Sequence, residues 1–211
     1  MPSEPEVKRT VAFFDGQNLF HSAKECFGYT YPNYDVKALA KSVCAEQGWD
    51  LAQVRFYTGL PDFRRDPGWN HFWTSKLASM GKTGIKVFSR TLKYRVDDVE
   101  LGNGQVIQVP TKQEKGIDVR ISLDVIRLAL DEVYDVALIF SQDQDLSEVA
   151  DEIKAISMRD HRWIHIASAF PSDPTGPNNR GILNTRWIHV KRFQYDACKI
   201  QPTTFAGDLH E

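Results

Sequence analysis

Apolar residues along this chain fall into two alternating rhythms. Short runs rich in strand-favouring residues occur at 10–14, 54–58, 85–89, 136–140 and 163–169, each long enough for one strand buried on both faces. Between them, apolar residues recur at helical spacing. Asp35 opens one such stretch, with Val36, Leu39, Ala40, Val43 and Cys44 on one face and Gly48 closing it. Further helices are predicted over about 18–26, 69–81, 117–132 and 146–156; the last carries Leu146, Val149, Ile153 and Ile156 at i, i+3, i+4 intervals. Strand followed by helix, repeated, predicts right-handed crossovers and a mainly parallel sheet.

The rhythm breaks once. From Arg90 to Lys112 the pattern alternates around Asn103-Gly104, the signature of a β-hairpin inserted between the third strand and the next helix. FGYTYPNY, PDFRRDPG and the proline-rich PSDPTGPNNRG read as loops, and TRWIHVKRF, from Thr185, as a final short strand. Residues 1–9 read as a polar lead-in and 201–211 as a flexible tail, so one domain is expected over 10–200.

Composition narrows the classes. With 211 residues, 42% of them hydrophobic and 26% charged, the chain can bury a full core. No apolar run approaches membrane-spanning length, and MPSEPEVKRT lacks the core of a signal peptide. Three cysteines without CxxC spacing argue against a disulfide framework or zinc finger, and a cytoplasmic location fits. A net charge of −2 does not advertise a nucleic-acid binder, although a local basic patch can coexist with an acidic site. The sequence is compatible with a homo-oligomer and specifies none.

Carboxylates supply the candidate chemistry. VALIFSQDQDL ends an apolar run in Asp143 and Asp145, VAFFDGQNLF ends another in Asp15, and Asp118 stands at the start of the helix between them. In a parallel sheet such positions share the carboxyl edge, where ligands bind. Gathered acids repel one another unless a cation neutralises them, and Mg²⁺ or Mn²⁺ with oxygen ligands suits that role. Taken singly, an Asp after a strand serves more often as a helix cap or turn former. Asp124 pairs by spacing with Arg120 or Arg127 and is left outside the set. Asn18 is placed to cap its helix or orient a water, and Ser141 to bond backbone in its turn; both are also candidate substrate contacts. Lys115, Arg64 and Arg65, with Arg90, Lys93, Arg95 and Lys112 of the hairpin, are the candidate phosphate contacts. Trp69, Phe72 and Trp73 read as core.

Three motifs in order, FFDGQN (13–18), KGIDVRISLD (115–124) and SQDQDL (141–146), resemble the NYN-domain family, LabA-like branch, among the PIN-like nucleases. The resemblance spans about residues 9–200. Gln142 and Leu146 stand where the family pattern has Gly and Phe, so turn geometry is where this chain departs. The resemblance implies a three-layer α/β/α, Rossmann-like domain. It also implies a metal-dependent ribonuclease, endonucleolytic on single-stranded or structured RNA, with Asp15, Asp118, Asp143 and Asp145 as both metal ligands and catalytic acids. A non-catalytic RNA-binding module of the same fold is the alternative. An aspartyl phosphatase ranks last, because Gln17 occupies the place of its second carboxylate.

Overall fold

The computed structural model describes residues 2–100, 102, 105–173 and 179–200. Its centre is β1 (Arg9–Asp15), followed by α1 (Gly16–Phe27), α2 (Val36–Gln47), β2 (Asp50–Leu60), α3 (Pro67–Lys82) and β3 (Lys86–Thr91). The hairpin β4 (Lys93–Glu100) and β5 (Val106–Gln113) comes next, then α4 (Ile117–Leu130), β6 (Val136–Phe140) and a 3-10 turn (Gln144–Leu146). The chain continues through α5 (Ser147–Arg159), β7 (His165–Pro171), β8 (Arg186–Val190) and α6 (Arg192–Asp196).

Six strands pair in the order β3-β2-β1-β6-β7-β8, every pairing parallel. The chain builds outward from β1 on one side, then returns to β1 and builds outward on the other. The strand order therefore reverses between β1 and β6, whose carboxyl ends open a crevice. Alternation along β1 sorts its side chains. Ala12 and Phe14 face a layer made by α1, α2 and α3, while Val11 and Phe13 face α4 and α5. Phe14 stacks on Phe140 of β6 at 4.0 Å between ring centroids, locking the two central strands just below the crevice. The three-layer expectation holds. Trp73 is buried, and Trp69 and Phe72 pack against the same core.

Several boundaries move, each for a local reason. Asp15, not Asn18, caps α1: its carboxylate accepts the Asn18 N–H at 3.0 Å, so the helix begins at Gly16. β2 starts at Asp50 because its ladder with β1 opens at Arg9. Arg9 therefore belongs to the sheet rather than the lead-in, and is clamped by a two-point bond to Asp135, with both contacts at 2.9 Å. The residues KRF do not extend the last strand. They turn into α6, whose Tyr195 and Gln194 reach Asn33 (3.1 Å) and Glu46 (2.9 Å). Past Cys198, Ile200 still donates its N–H to Asn33; residues 201–211 lie outside the described residues.

The hairpin forms a separate two-stranded sheet, in register from Lys93↔Gln113 to Glu100↔Val106. Its Asn103-Gly104 turn lies outside the described residues. Two strands alone are marginal in water, and this pair is anchored at its root. The Leu92 N–H bonds Leu60 O (2.9 Å), and the Asp62 N–H bonds the Tyr94 hydroxyl (3.1 Å).

Candidate active site

Asp15 leaves β1 at the strand-order reversal, 5% exposed. One carboxylate oxygen caps α1, and the other accepts a hydrogen bond from the Ser141 hydroxyl at 3.4 Å. Ser141, the first residue past β6, also accepts the Asp143 N–H at 3.1 Å. At 1% exposure it is spent on holding these two acids, so it positions them rather than touching a ligand. Asn18 plays a similar part: its side-chain oxygen accepts the Gln142 N–H at 2.8 Å, tying the start of α1 to the β6 turn.

Asp15, Asp118 and Asp143 line one cavity of about 400 Å³, together with Glu114, Lys115, Gly116 and Val119. Asp118 sits in the first turn of α4, where the helix dipole favours a negative charge. Asp145 is not among the lining residues. It is exposed in the 3-10 turn, and its N–H donates to Asp143 at 3.1 Å. Glu114 takes the fourth place instead. It lies in the connector between β5 and α4, and its carboxylate accepts the Gly59 N–H at the end of β2.

Burial pushes the Asp15 carboxyl up to about 6; the Asn18 N–H opposes the rise and the nearby Asp143 charge adds to it. Glu114 is pushed up to about 7, first by burial and then by the Asp15 charge, against the Gly59 N–H. Each acid is thus raised by desolvation and by the charge of a neighbouring carboxylate.

Such a site fits a hard divalent cation, because an all-oxygen donor set on rigid elements is strained by its own charge. Among the described residues no three acidic, histidine or cysteine side chains close on one point, so the carboxylates surround the cavity rather than form a finished cage. An ion that keeps several waters suits that spacing.

Residues 9–171 match the NYN domain. This chain belongs to the NYN family. NYN domains are part of the PIN-like nuclease superfamily, which generally uses divalent metals. No curated protein matches the chain. Among solved structures, a protein of unknown function from Vibrio parahaemolyticus, VPA0982, is similar over 92% of this chain and 98% of its own, with TM-score 0.53 and 16% identity. That likeness shows the fold alone. MurG from Acinetobacter baumannii (TM-score 0.30, 12% identity, 83% of this chain and 45% of that one) is too distant to carry an argument.

Where this NYN chain departs from the family pattern, the turn is unstrained. Gln142 is not among the residues with positive φ, and its side chain is put to use. It accepts from the Ser22 hydroxyl (2.7 Å) and donates to Arg180 O (2.8 Å), which joins α1 to the loop after β7. Leu146 is fully buried beneath α5. Asp124 is a structural hub: Arg55 (2.7 Å), the Tyr57 hydroxyl (2.8 Å) and Arg120 (2.9 Å) all reach it.

The candidate phosphate contacts divide into two groups. Lys115 lines the cavity, and the Arg90 guanidinium lies against Gly116, which also lines it. Lys93, Arg64 and Arg65 are exposed. Lys112 is neutralised by Asp66 (2.6 Å) and Arg95 by Asp97 (2.9 Å), so neither stands as a free cation.

Gly59 has room for nothing more, since a Cβ there would strike both Leu92 and Glu114. Gly59→Ala is therefore expected to displace the acid and loosen the hairpin root. The expected cost is about 1–3 kcal/mol, read by urea unfolding.

Proposed function

We propose that this chain is a divalent-metal-dependent ribonuclease that cuts RNA phosphodiester bonds internally. One observation carries the reading. In an NYN chain, acids from the ends of β1 and β6, the start of α4 and the hairpin connector line one cavity at the strand-order reversal.

Asp15, Asp118, Asp143 and Glu114 would hold Mg²⁺ or Mn²⁺, with Asp145 as an outer acid. When bound, the ion supplies Lewis-acid polarisation of the phosphoryl oxygens and relieves the repulsion among the acids. The chain's own residues do the rest. Ser141 and the Asn18 backbone fix the Asp15 carboxylate, and Ser141 fixes the Asp143 backbone, so that little reorganisation is left for the reaction. Lys115 and Arg90, at the cavity and its rim, receive the phosphate backbone. The three cysteines are free, and no described helix is long and apolar enough to cross a membrane; a cytoplasmic site of action accords with both.

The decisive assay presents linear and circular single-stranded RNA with Mn²⁺ to wild type and to Asp143→Asn. The expected result is cleavage of both RNAs by wild type and neither by the variant. Salt-dependent RNA binding without cleavage in any divalent metal would make the chain a binding module instead.

Metal affinity has its own readout. Asp15 and Glu114 titrate at about 6 and about 7, and both must be ionised to act as ligands. At about pH 5 both are mainly protonated, so added Mn²⁺ must displace their protons; at about pH 8 it need not. Mn²⁺ is thus expected to raise the melting temperature clearly at the higher pH and little at the lower, by calorimetry without RNA. Equal shifts at both values would count against these acids as ligands.

A further inference from the structure

The loop between β2 and α3 meets the root of the hairpin through one stacked pair. The Arg65 guanidinium lies over the Tyr94 ring, 4.9 Å from its centroid. Tyr94 is held in place by the Asp62 N–H on its hydroxyl, and the neighbouring Lys112 is tied to Asp66. Arg65 itself is exposed and, among the described residues, its guanidinium makes no ion pair or hydrogen bond. The guanidinium carbon thus sits over the tyrosine ring, on a side chain that is otherwise exposed.

The pair stands near the cavity through the end of β2. Gly59 donates its N–H to the Glu114 carboxylate, which lines the cavity, and Asp62, three residues on, donates its N–H to the Tyr94 hydroxyl. Three residues of extended chain span roughly 10 Å. The Tyr94 hydroxyl is thus on the order of 10 Å from that acid, within reach of an adjoining nucleotide.

We propose that exposed Arg65, backed by Tyr94, is a nucleobase subsite. There an unpaired base of single-stranded RNA stacks while a neighbouring phosphate lies at the carboxylate cavity. The proposal rests on the ribonuclease reading for its ligand. Guanidinium planes and aromatic rings are general platforms for splayed bases, and a base within a duplex cannot offer its face. The subsite therefore selects single strands without demanding a sequence. Lysine cannot replace arginine here, because an ammonium has charge but no plane.

The test measures binding of the full chain, in EDTA so that nothing is cut, to a short fluorescent single-stranded RNA. A matched set carries one abasic nucleotide at each position in turn. In wild type, one abasic position is expected to weaken binding by roughly 5- to 150-fold, the range for a stacked base. Arg65→Lys is expected to erase that discrimination while leaving the salt dependence of binding unchanged, because the charge is kept. Tyr94→Leu is expected to act like Arg65→Lys, and circular dichroism verifies its fold.

Wild type indifferent to every abasic position, discrimination retained in Arg65→Lys, or no RNA binding at all would each overturn the subsite. Cleavage by wild type in Mn²⁺ without base discrimination would sink the subsite and spare the nuclease. Discrimination without cleavage would do the reverse.

Discussion

Asp15→Asn is expected to fold, to melt at a higher temperature than wild type at about pH 8 and, on the proposed ribonuclease reading, to lose RNA cleavage. The stability half follows from linkage. In the folded chain the carboxyl is raised from 3.8 to about 6 by burial, so its ionised form costs folding energy. That cost is absent below about pH 4, where both folded and unfolded chains hold the proton, and is complete above about pH 6. A rise from 3.8 to about 6 corresponds to about 3 kcal/mol. Asparagine caps a helix as well as aspartate does, so α1 keeps its start. Melting curves without metal should therefore separate at high pH and converge near pH 4. Separation that persists into acid would mean that the carboxylate is not the cause. The activity half is a loss of about 10³-fold or more, on the order of the several kcal/mol that a catalytic metal site supplies. Greater stability with less activity is the trade expected of a residue kept for chemistry.

The opposite signature is expected at Asp124. This carboxylate is 3% exposed and bonds Arg55, itself 8% exposed, at 2.7 Å. Asp124→Leu strands the arginine in the interior, at a cost of about 3–5 kcal/mol. For a chain of this size that is a fall in melting temperature of roughly 10 °C. Pairing it with Arg55→Met removes the orphaned charge, and the double variant is expected to recover much of the loss. Failure of the second substitution to rescue the first would show that the cost lies in Tyr57 and Arg120, which share the same oxygens' surroundings. Because Asp124 joins α4 to β2, the variant is also expected to reduce cleavage in proportion to the unfolded fraction.

The fold was legible where burial is two-sided or a cap is explicit. Residues 136–140 are buried throughout, and the expected strand matches the observed one residue for residue. Asp35 and Gly48 bracket α2 as read, the first accepting two backbone N–H groups and the second in a left-handed conformation. Asp15 and Asn18 are both good caps, and periodicity could not say which one the strand's end would favour. α6 escaped notice because five residues carry no period; contacts to Asn33 and Glu46, about 150 residues away in sequence, hold it.

Three of the four acids that line the cavity carry a signal in the sequence. Asp15, Asp118 and Asp143 follow strand ends or open a helix, which is a local signal. Glu114 sits in a short connector, and its place depends on the Gly59 N–H, 55 residues earlier. The glutamate next to Lys115-Gly116, where the hairpin rejoins the main domain, was the one clue available. Asp145 illustrates the reverse: two residues after Asp143 it carries the same charge, but the 3-10 turn holds it outside the cavity lining.

β1 runs from Arg9 upward to Asp15 through the middle of the sheet, so the strand's first residue lies on the underside, roughly 20 Å from the acids. Any polypeptide joined ahead of Arg9 hangs from that underside. An affinity handle or a tethered partner attached there leaves the mouth above Asp15 unobstructed, and the protein can be immobilised on a surface while still admitting a polymer from solution.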